Sequence, residues 1–368
     1  MKKNKYTRME PQIDSLFREL DRELDNFPTG TRFHSLRQLQ EKYGSHRGII
    51  DRTLTRMEER QLIRRVPRIG IFSNVTRRTQ ARKVLFFLPD WPSNMIREWS
   101  AAANRYIAER KEWQLQERLI DPELPLSASC LPEDAAAMIL FSPSTGISTG
   151  DMIWLASLKI PAVLLNADSG SFEISCVSSD DCTGAALVSS FLHSRGHRRV
   201  AVIYSEPHSA VSENRIRNLL VSMKLLGMET ILIDCATMNC EYSPHKAYMA
   251  MKQYLEENDS RADFTAVYSI TGDCVPEVMT ALRESGYELP RDISIISMTS
   301  EENGRFNHPP LTAACNDIAM EVAVTFEGLR EVLEKKRNYF KALVPMRLIE
   351  RASVKNISGT QTRKGTTP

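Results

Sequence analysis

The sequence predicts an α/β protein in which a small basic helical unit precedes a larger unit built from parallel, doubly wound sheets. Its 368 residues are 42% apolar and 26% charged, which is ordinary for a globular protein and sufficient for two or three domains. The charge is uneven, because residues 1–83 hold 20 Lys and Arg against 10 Asp and Glu, whereas the remainder holds 28 against 36. Apolar strands alternate with amphipathic helices only from Lys83 onward.

The basic unit contains three predicted helices followed by a hairpin. The segments expected to form these helices and strands are 9–27, 35–43, 46–60, 62–65 and 71–73. Ser35 with Gln38 three residues later is a capping-box pattern that predicts the start of the second helix. Gly44 and Ser45 form the turn into the third helix. This order is typical of a winged helix-turn-helix, which we expect over residues 1–75.

A basic winged helix-turn-helix indicates binding to operator DNA, with the third helix in the major groove. Arg47, in the first turn of that helix, can donate two hydrogen bonds to guanine O6 and N7. The other arginines are suited to phosphate contacts, which position a protein without reading sequence. The expected DNA-contacting residues are Ser35, Arg37, Ser45, His46, Arg47, Gly48, Arg52, Arg56, Arg65, Arg68 and Gly70. The alternative is that these arginines form only a solvated basic surface.

Beyond a predicted linker at residues 76–82, the pattern becomes one of repeated βα units. The expected strands are 84–88, 138–141, 162–165, 200–204, 231–233, 266–269 and 293–296. Expected helices include 93–110, 181–194, 212–226, 244–256 and 276–285. Repeated βα units form parallel sheets covered by helices on both faces, and about 270 residues suit two lobes better than one. Residues 355–368, rich in Thr, Gly and Lys, are expected to be a disordered tail.

Several classes of protein are disfavoured by what the sequence lacks. Seven cysteines without CxxC pairs argue against a disulfide framework or a zinc module, and the seven histidines are scattered, so we expect no metal site. There is no nucleophile elbow, phosphate-binding loop or dinucleotide fingerprint, so we expect neither an enzyme nor a bound cofactor. No signal peptide or membrane-spanning run is seen, and we expect a cytoplasmic protein without membrane contact.

The basic unit resembles a known family of DNA-binding domains. The segments Phe33–Leu39, Tyr43-Gly44, Arg47–Ile50 and Met57–Arg65 are similar to the winged-helix pattern of the gluconate-repressor (GntR) family. This resemblance implies operator binding and places Arg37 and Arg47 on the family's DNA-contacting arginines. The chain departs from the pattern at Gly48-Ile49, where a contacting hydroxyl is lost, and at Pro67-Arg68, where the first wing glycine is absent.

The larger unit resembles a different family. Four segments look like those of the lac/galactose-repressor (LacI/GalR) effector domains, in the same order and at the same spacing: 194–203, 286–296, 309–312 and 348–353. The resemblance implies a periplasmic-binding-protein-like type I fold over residues 83–354, with two lobes joined by three crossovers. Lobe 1 is then expected at about 83–177 and 318–343, and lobe 2 at about 178–317 and 344–354.

The resemblance also implies a set of effector-binding residues in the cleft between the lobes. These are Trp91, Ser93, Asn94, Phe141, Asn166, Arg215, Tyr242, Asp273, Thr299 and Asn316. Polar groups with an aromatic face suit a sugar, since a polyol needs hydrogen bonds on its rim and an apolar surface for its C–H face. Gly272 and Thr299 replace a ligand-facing Asn and Asp of the family. The alternatives are that Arg215, Tyr242 and Trp91 are surface residues and that Asp273 caps a helix.

Together the two resemblances suggest a hybrid regulator of the arabinose-repressor type. We expect a homodimeric transcriptional regulator, a repressor by family analogy, that binds operator DNA and responds to a sugar or related small molecule. We expect no minor-groove hinge helix in the linker. Three alternatives remain open at this point: a DNA-binding regulator whose sensor has lost its ligand, a solute-binding protein, and a sugar-processing enzyme.

Overall fold

The computed structural model confirms the predicted α/β fold class. It describes residues 10–24, 26–74, 81–90, 93–110, 112–122, 124–128, 131–132, 134–143, 146–238 and 241–358. The chain divides into two compact units, Met1–Arg82 and Lys83–Pro368. The first, called the head below, contains helices and a small hairpin, and the second contains two parallel sheets with helices. The boundary coincides with the change from basic to acidic composition.

The head consists of three helices and a two-stranded antiparallel hairpin. Its elements are α1 Glu10–Leu24, α2 Leu36–Tyr43, α3 Arg47–Glu59, β1 Ile63–Val66 and β2 Gly70–Ser73. The predicted capping box is present, since the Ser35 side chain accepts from the Gln38 amide and the Gln38 side chain accepts from the Ser35 amide. Gly44 ends α2 in the left-handed region, at φ +58°, where a glycine avoids the steric cost of a side chain.

The head encloses its own hydrophobic core. α3 buries one face, which includes Ile50, Leu54 and Met57, against α1. A polar cluster fixes α1 to α2, because the half-buried His34 and Tyr43 and the exposed Lys42 all contact the carboxylate of Glu23. Burial raises the pKa of Glu23, but hydrogen bonds from Lys42, Tyr43 and His34 outweigh it and hold that pKa at about 2.

The larger unit contains two six-stranded sheets. Lobe 1 comprises β3 Arg82–Pro89, α4 Asn94–Ala108, β4 Trp113–Ile120, β5 Ala137–Phe141, α5 Thr149–Ser157, β6 Ala162–Leu165, β7 Ser175–Ser179, α11 Ile318–Leu333 and β13 Lys341–Val344. Lobe 2 comprises α6 Asp181–Ser194, β8 Arg199–Tyr204, α7 Ala210–Leu225, β9 Glu229–Asp234, α8 Ser243–Glu257, β10 Ala266–Ser269, α9 Val275–Glu284, β11 Ser294–Ser300, α10 Glu301–Arg305, β12 Thr312–Asn316 and β14 Arg347–Ile349.

The strand order of the sheets brings the cleft-forming segments to one edge of each lobe. The order is β13-β7-β6-β5-β3-β4 in lobe 1 and β14-β12-β11-β10-β8-β9 in lobe 2. The pairs among β13, β7, β6, β5 and β3 are parallel, as are those among β12, β11, β10, β8 and β9, while β14 is antiparallel to β12. Near-continuous apolar strands such as β5 are buried on both faces, as parallel sheets require.

The chain passes between the lobes three times. It leaves lobe 1 after Ser179, returns after Asn316, and crosses again between Val344 and Arg347. The first two crossings directly follow the carboxyl ends of β7 and β12. The loops that follow parallel strands therefore meet between the lobes, which is where ligands bind in open α/β sheets.

The structure corrects one boundary of the predicted tail. Residues 355–358 are ordered against lobe 2 rather than part of a disordered tail, because the Lys355 carbonyl lies 3.1 Å from Nε2 of the buried His197 and the Ile357 amide donates to the Arg195 carbonyl. At Gly196, φ is +92° and any Cβ would lie 2.6 Å from the Ser358 backbone. Residues 359–368 and most of the predicted linker, 76–80, lie outside the described residues, so the absence of a hinge helix stays a prediction.

We expect Gly328→Ala to destabilise lobe 1. A Cβ at Gly328, on α11, would lie 2.5 Å from the ring of the buried Phe340, so the substitution overpacks the core. The expected loss in the free energy of unfolding is about 1–2 kcal/mol after the gain in helix propensity. Denaturant unfolding followed by the fluorescence of Trp99 and Trp113 measures it.

Gly150→Ala is the matched control. It adds the same methyl group to another helix of lobe 1, α5, where the nearest atom would be Ser148 Oγ at 3.7 Å. Its stability should stay within about 0.5 kcal/mol of the parent. Equal stability of the two variants would contradict the close packing of α11 on Phe340.

Candidate functional site

Two surfaces contain the predicted functional residues, one on the head and one in the cleft of the larger unit. On the head, the first turn of α3 is exposed, including His46, Arg47 and Gly48. No side chain among the described residues caps this helix, since His46 stands at the N-cap without a side-chain hydrogen bond. The free amides of a helix N-terminus attract anions. An exposed arginine beside such a terminus is suited to a phosphate or a base edge.

The arginines of the head fall into two groups. Arg56 forms an ion pair with Asp14 of α1 at 2.6 Å, and Arg65 forms ion pairs with Glu58 at 2.7 Å and Asp51 at 3.1 Å, both on α3. These two cations therefore stabilise the packing of the head and are less available to DNA than the sequence suggests. By contrast, Arg37, Arg47, Arg52 and Arg68 are the exposed arginines of the predicted set. Of these, Arg37 forms an ion pair with Glu41 at 3.0 Å, within the exposed surface of α2.

The hairpin differs from the expected wing at its tip. β1 and β2 are joined by only Pro67, Arg68 and Ile69, and Arg68 takes φ +64°, a conformation that favours glycine. Gly70 has a structural role, because a Cβ there would lie 2.9 Å from Arg32 Nε. Ile69 is 58% exposed beside Arg68. The wing is therefore short, with one cation and one apolar side chain at its tip.

In the larger unit, a cavity of about 290 Å³ lies between the lobes. Nine of the predicted effector-binding residues line it: Ser93, Asn94, Phe141, Asn166, Arg215, Tyr242, Asp273, Thr299 and Asn316. The tenth, Trp91, lies outside the described residues. Most of the nine lining residues lie at or just after the carboxyl end of a strand, such as Phe141 on β5 and Asn316 on β12. Residues far apart in the chain thus converge because parallel strands end at the same edge.

Arg215 is the most buried charge of the cavity, with a side chain only 10% exposed. It extends from α7 to Asp181 Oδ1 at 3.2 Å and Glu206 Oε2 at 3.5 Å. Burial lowers the pKa of Arg215, but these two carboxylates outweigh it and the net shift is upward. Arg215 is therefore a fixed cation in the cleft wall rather than a surface charge. Sequence patterns alone did not point to Asp181 or Glu206.

Asp273 joins the two lobes across the cavity. Its carboxylate accepts from Asn94 Nδ2 of lobe 1 at 2.9 Å and from Asn303 Nδ2 of lobe 2 at 2.6 Å. A second bond between the lobes runs from Ser300 Oγ to Glu98 Oε1 at 2.8 Å. The expected alternative, that Asp273 caps the following helix, is not the geometry seen, because its side chain points to these amides and Thr271 caps the 3₁₀ turn.

Asn316 lies at the second crossover and contacts Ser179 at the first crossover. Its Nδ2 donates to Ser179 Oγ at 2.6 Å, and Ser179 donates in turn to Glu321. Glu321 also accepts from Trp99 Nε1 at 3.1 Å. Burial raises the pKa of Glu321 despite these hydrogen bonds. Asn316 therefore lines the cavity and at the same time helps to fix the crossing strands.

The two departures from the family pattern form one packed pair. A Cβ at Gly272 would lie 2.2 Å from Oγ1 and 2.5 Å from Cβ of Thr299. β10 and β11 are neighbours, so the residues that follow or end them come into contact. Thr299 occupies the space that a side chain at position 272 would need. A larger residue at position 272 is therefore incompatible with Thr299 in its present position.

Comparisons with known proteins agree with this architecture. Residues 190–354 match the family model of a periplasmic binding protein-like domain. The HTH-type transcriptional repressor PurR of Vibrio atlanticus (strain LGP32) is 25% identical over 204 residues, which are 54% of this chain and 58% of that protein. The corresponding match to the PurR repressor of Edwardsiella ictaluri (strain 93-146) is 27% identical and covers 46% of this chain and 49% of the relative. The chain thus spans about half the length of the curated relatives that it matches.

Solved structures give the same fold for the larger unit. A LacI transcriptional regulator from a Rhodococcus species has a TM-score of 0.65 and 19% identity, covering 75% of this chain and 99% of that one. A LacI family transcriptional regulator from Enterococcus faecium, solved with bound ribose, has a TM-score of 0.62 and 18% identity over 74% of this chain and 99% of that one. The two-lobed, periplasmic-binding-protein-like fold is therefore confirmed.

Neither a metal centre nor a membrane span is found in the part of the chain that the structure describes. No group of three His, Cys, Asp or Glu side chains there could hold a metal ion. None of the described helices is both long and apolar enough to cross a bilayer. Among the described cysteines, Cys176, Cys235, Cys274 and Cys315 are buried free thiols, and Cys182 is an exposed one.

We expect the steric coupling of Gly272 and Thr299 to appear in a double-mutant cycle. Gly272→Ala alone should lower the free energy of unfolding by about 1–3 kcal/mol, because its methyl group collides with Thr299. Thr299→Gly should relieve the collision, so that the double variant loses less than the sum of the two single losses. Urea unfolding of all four proteins gives the interaction free energy. Additive losses would show that the two side chains do not compete for one space.

Proposed function

We propose that the protein is a ligand-responsive transcription regulator. In this proposal the head binds operator DNA, and the cleft of the larger unit binds a sugar or related small polar molecule. One observation carries the proposal: nine residues expected to bind an effector, scattered from Ser93 to Asn316, line a single interlobe cavity. A catalytic role has no comparable support, since the relatives named above are transcription repressors or regulators.

For the head, the proposal rests on shape and charge. Three helices and a short wing follow the order of a winged helix-turn-helix, and the segments around Arg37 and Arg47 resemble the GntR pattern. The exposed first turn of α3 combines uncapped amides with Arg47. We propose that α3 enters the major groove and that Arg47 reads a base, while Arg37, Arg52 and Arg68 contact phosphates.

For the whole molecule, we propose a homodimeric repressor with two operator half-sites. A twofold dimer places its heads on half-sites about one helical turn apart, or a multiple of it. Ligand in the cleft changes the relative populations of DNA-binding and non-binding forms. Two solved structures with the same fold are consistent with this arrangement, one holding ribose and the other a lac repressor dimer bound to operator.

We expect Arg47→Ala to weaken DNA binding by about 1–3 kcal/mol and to relax specificity, as for loss of a bidentate base contact. The measurement is a gel shift of the full chain on a sequence selected from a random DNA pool, at two salt concentrations. Affinity of the parent should fall steeply with salt. The matched control is Arg291→Ala, which removes an exposed arginine from the larger unit. Equal affinity of the Arg47→Ala variant and the parent would contradict the placement of α3 on DNA.

We expect a small polar ligand to raise the unfolding temperature of the parent but not of Arg215→Lys. Lysine keeps the buried charge opposite Asp181 and Glu206 but loses the planar fork that holds these two carboxylates in the cavity wall. A ligand at 100 times its Kd stabilises the parent by about 2.7 kcal/mol. The screen covers sugars, sugar acids, amino sugars and nucleosides, with Arg198→Lys, an exposed arginine, as control. A ligand that stabilises the Arg215→Lys variant as much as the parent would contradict this use of the cavity.

A further inference from the structure

The charges that line the interlobe cavity are strongly unequal. Its acidic residues are Glu98, Asp181, Glu206, Glu241 and Asp273, and its basic residues are Arg97 and Arg215. Glu241 is paired with Lys246 at 3.0 Å, and Arg97 is exposed. Among the described residues of the cavity interior, four carboxylates therefore face one guanidinium. A cleft lined by an excess of one sign of charge attracts ligands of the opposite sign, so the imbalance affects what the cavity can hold.

The guanidinium of Arg215 is already neutralised by the protein. It lies between Asp181 and Glu206, at 3.2 and 3.5 Å. A carboxylate or phosphate on a ligand would have to compete with both side chains for the same guanidinium. It would also be repelled by Glu98 and Asp273, which accept hydrogen bonds from neutral hydroxyl and amide groups. The cavity therefore disfavours an anionic ligand.

The protein's own donors are also largely used. The amides of Asn94 and Asn303 donate to Asp273, and the hydroxyl of Ser300 donates to Glu98. The amide group of Asn316 donates to Ser179. The Glu206 carboxylate has a long ion pair with Arg215, at 3.5 Å, and can accept from a donor in the cavity.

The apolar part of the lining also suits a cation. The lining includes two aromatic residues, Phe141 and Tyr242, and three methionines, Met95, Met298 and Met346. Aromatic faces attract ammonium and guanidinium groups. Burial raises the pKa of Glu206, and the negative charges of Asp181 and Asp273 add to this effect although Arg215 opposes it. A cation beside Glu206 would offset both the cost of burying this carboxylate and its repulsion by Asp181 and Asp273.

We propose that the cavity selects a small polar ligand that carries a primary ammonium or guanidinium group, and that this group binds beside the carboxylates of Glu206 and Asp273. The inference rests on the proposed sensing role of the cleft and adds the charge of the ligand. A neutral sugar would satisfy the acceptors with O–H donors but would leave the negative charge uncompensated. A sugar acid or sugar phosphate would add further negative charge to the cavity.

Two matched series of compounds test the charge directly. One has a four-carbon chain with ammonium, hydroxyl or carboxylate ends: 1,4-diaminobutane, 1,4-butanediol and succinate. The other has a hexose ring or chain: glucosamine, glucose and gluconate. Thermal shifts of the full chain at physiological ionic strength, followed by calorimetric titration, give the relative affinities. We expect at least one amine to bind at least about tenfold more tightly than its neutral counterpart, with no binding of the acids.

Variants of the cavity identify the site of binding. Glu206→Gln keeps the shape of the side chain but removes its charge, and should weaken the bound amine about tenfold or more, a larger factor than for the neutral compound of the same series. Asp273→Asn provides the same test if the first variant does not fold. Glu109→Gln, whose side chain is 82% exposed outside the cavity, is the matched control and should bind as the parent does.

Each result supports or overturns the inference. Selective amine binding that is lost in the Glu206→Gln or Asp273→Asn variant supports it. Binding of a neutral or acidic compound in preference to its amine overturns the inference but leaves the sensing role intact. Amine binding that neither variant weakens shows that the cation lies elsewhere and overturns it as well. If no compound of either series or of the broader screen binds, both the inference and the proposed sensing function are wrong.

Discussion

The larger unit depends on the contact between the two strands that leave their lobes. Ser179 ends β7 and Asn316 ends β12, and the Asn316 amide donates to the Ser179 hydroxyl at 2.6 Å. The hydroxyl donates in turn to Glu321, a carboxylate that also accepts from Trp99. Because a buried polar group without a partner is costly, each member of this hydrogen-bond network requires the next. The network fixes the two crossovers, and the crossovers bring the strand ends of both lobes around one cavity.

The near-neutral composition of the chain conceals two opposite electrostatic surfaces. The head has an excess of arginine, with Arg47 and Arg52 exposed on α3, whereas the cavity holds several carboxylates around Arg215. Both features follow from the local fold. Arg47 is exposed because α3 turns its apolar side to α1, and Arg215 is buried because α7 packs beside the carboxyl ends of the lobe 2 strands. A basic surface suits a polyanion, and an acidic cavity suits the opposite charge.

Local patterns in the sequence predicted much of this architecture, and tertiary contacts account for what they missed. The capping box at Ser35 and the apolar strands of the sheets depend on near neighbours, and the structure has them where they were expected. β7, Ser-Cys-Val-Ser-Ser, was missed because its buried serines do not resemble an apolar strand. The ion pair of Arg56 with Asp14 and the collision of Gly272 with Thr299 join residues distant in sequence, so no local pattern reveals them. The cavity residues were found through a family resemblance, whereas Asp181 and Glu206 became visible only from their distances to Arg215.

The central claim is that a molecule bound in the cavity controls DNA binding by the head. The most direct test is the affinity of the full chain for a selected operator, measured with and without a saturating ligand, together with ligand affinity measured with and without DNA. One ratio compares the DNA affinity with and without ligand, and the other compares the ligand affinity with and without DNA. The account predicts that these two ratios are equal and differ from one by a factor of about 5–150, as linkage between two sites requires. A ligand that binds in the cavity and leaves DNA affinity unchanged would contradict it.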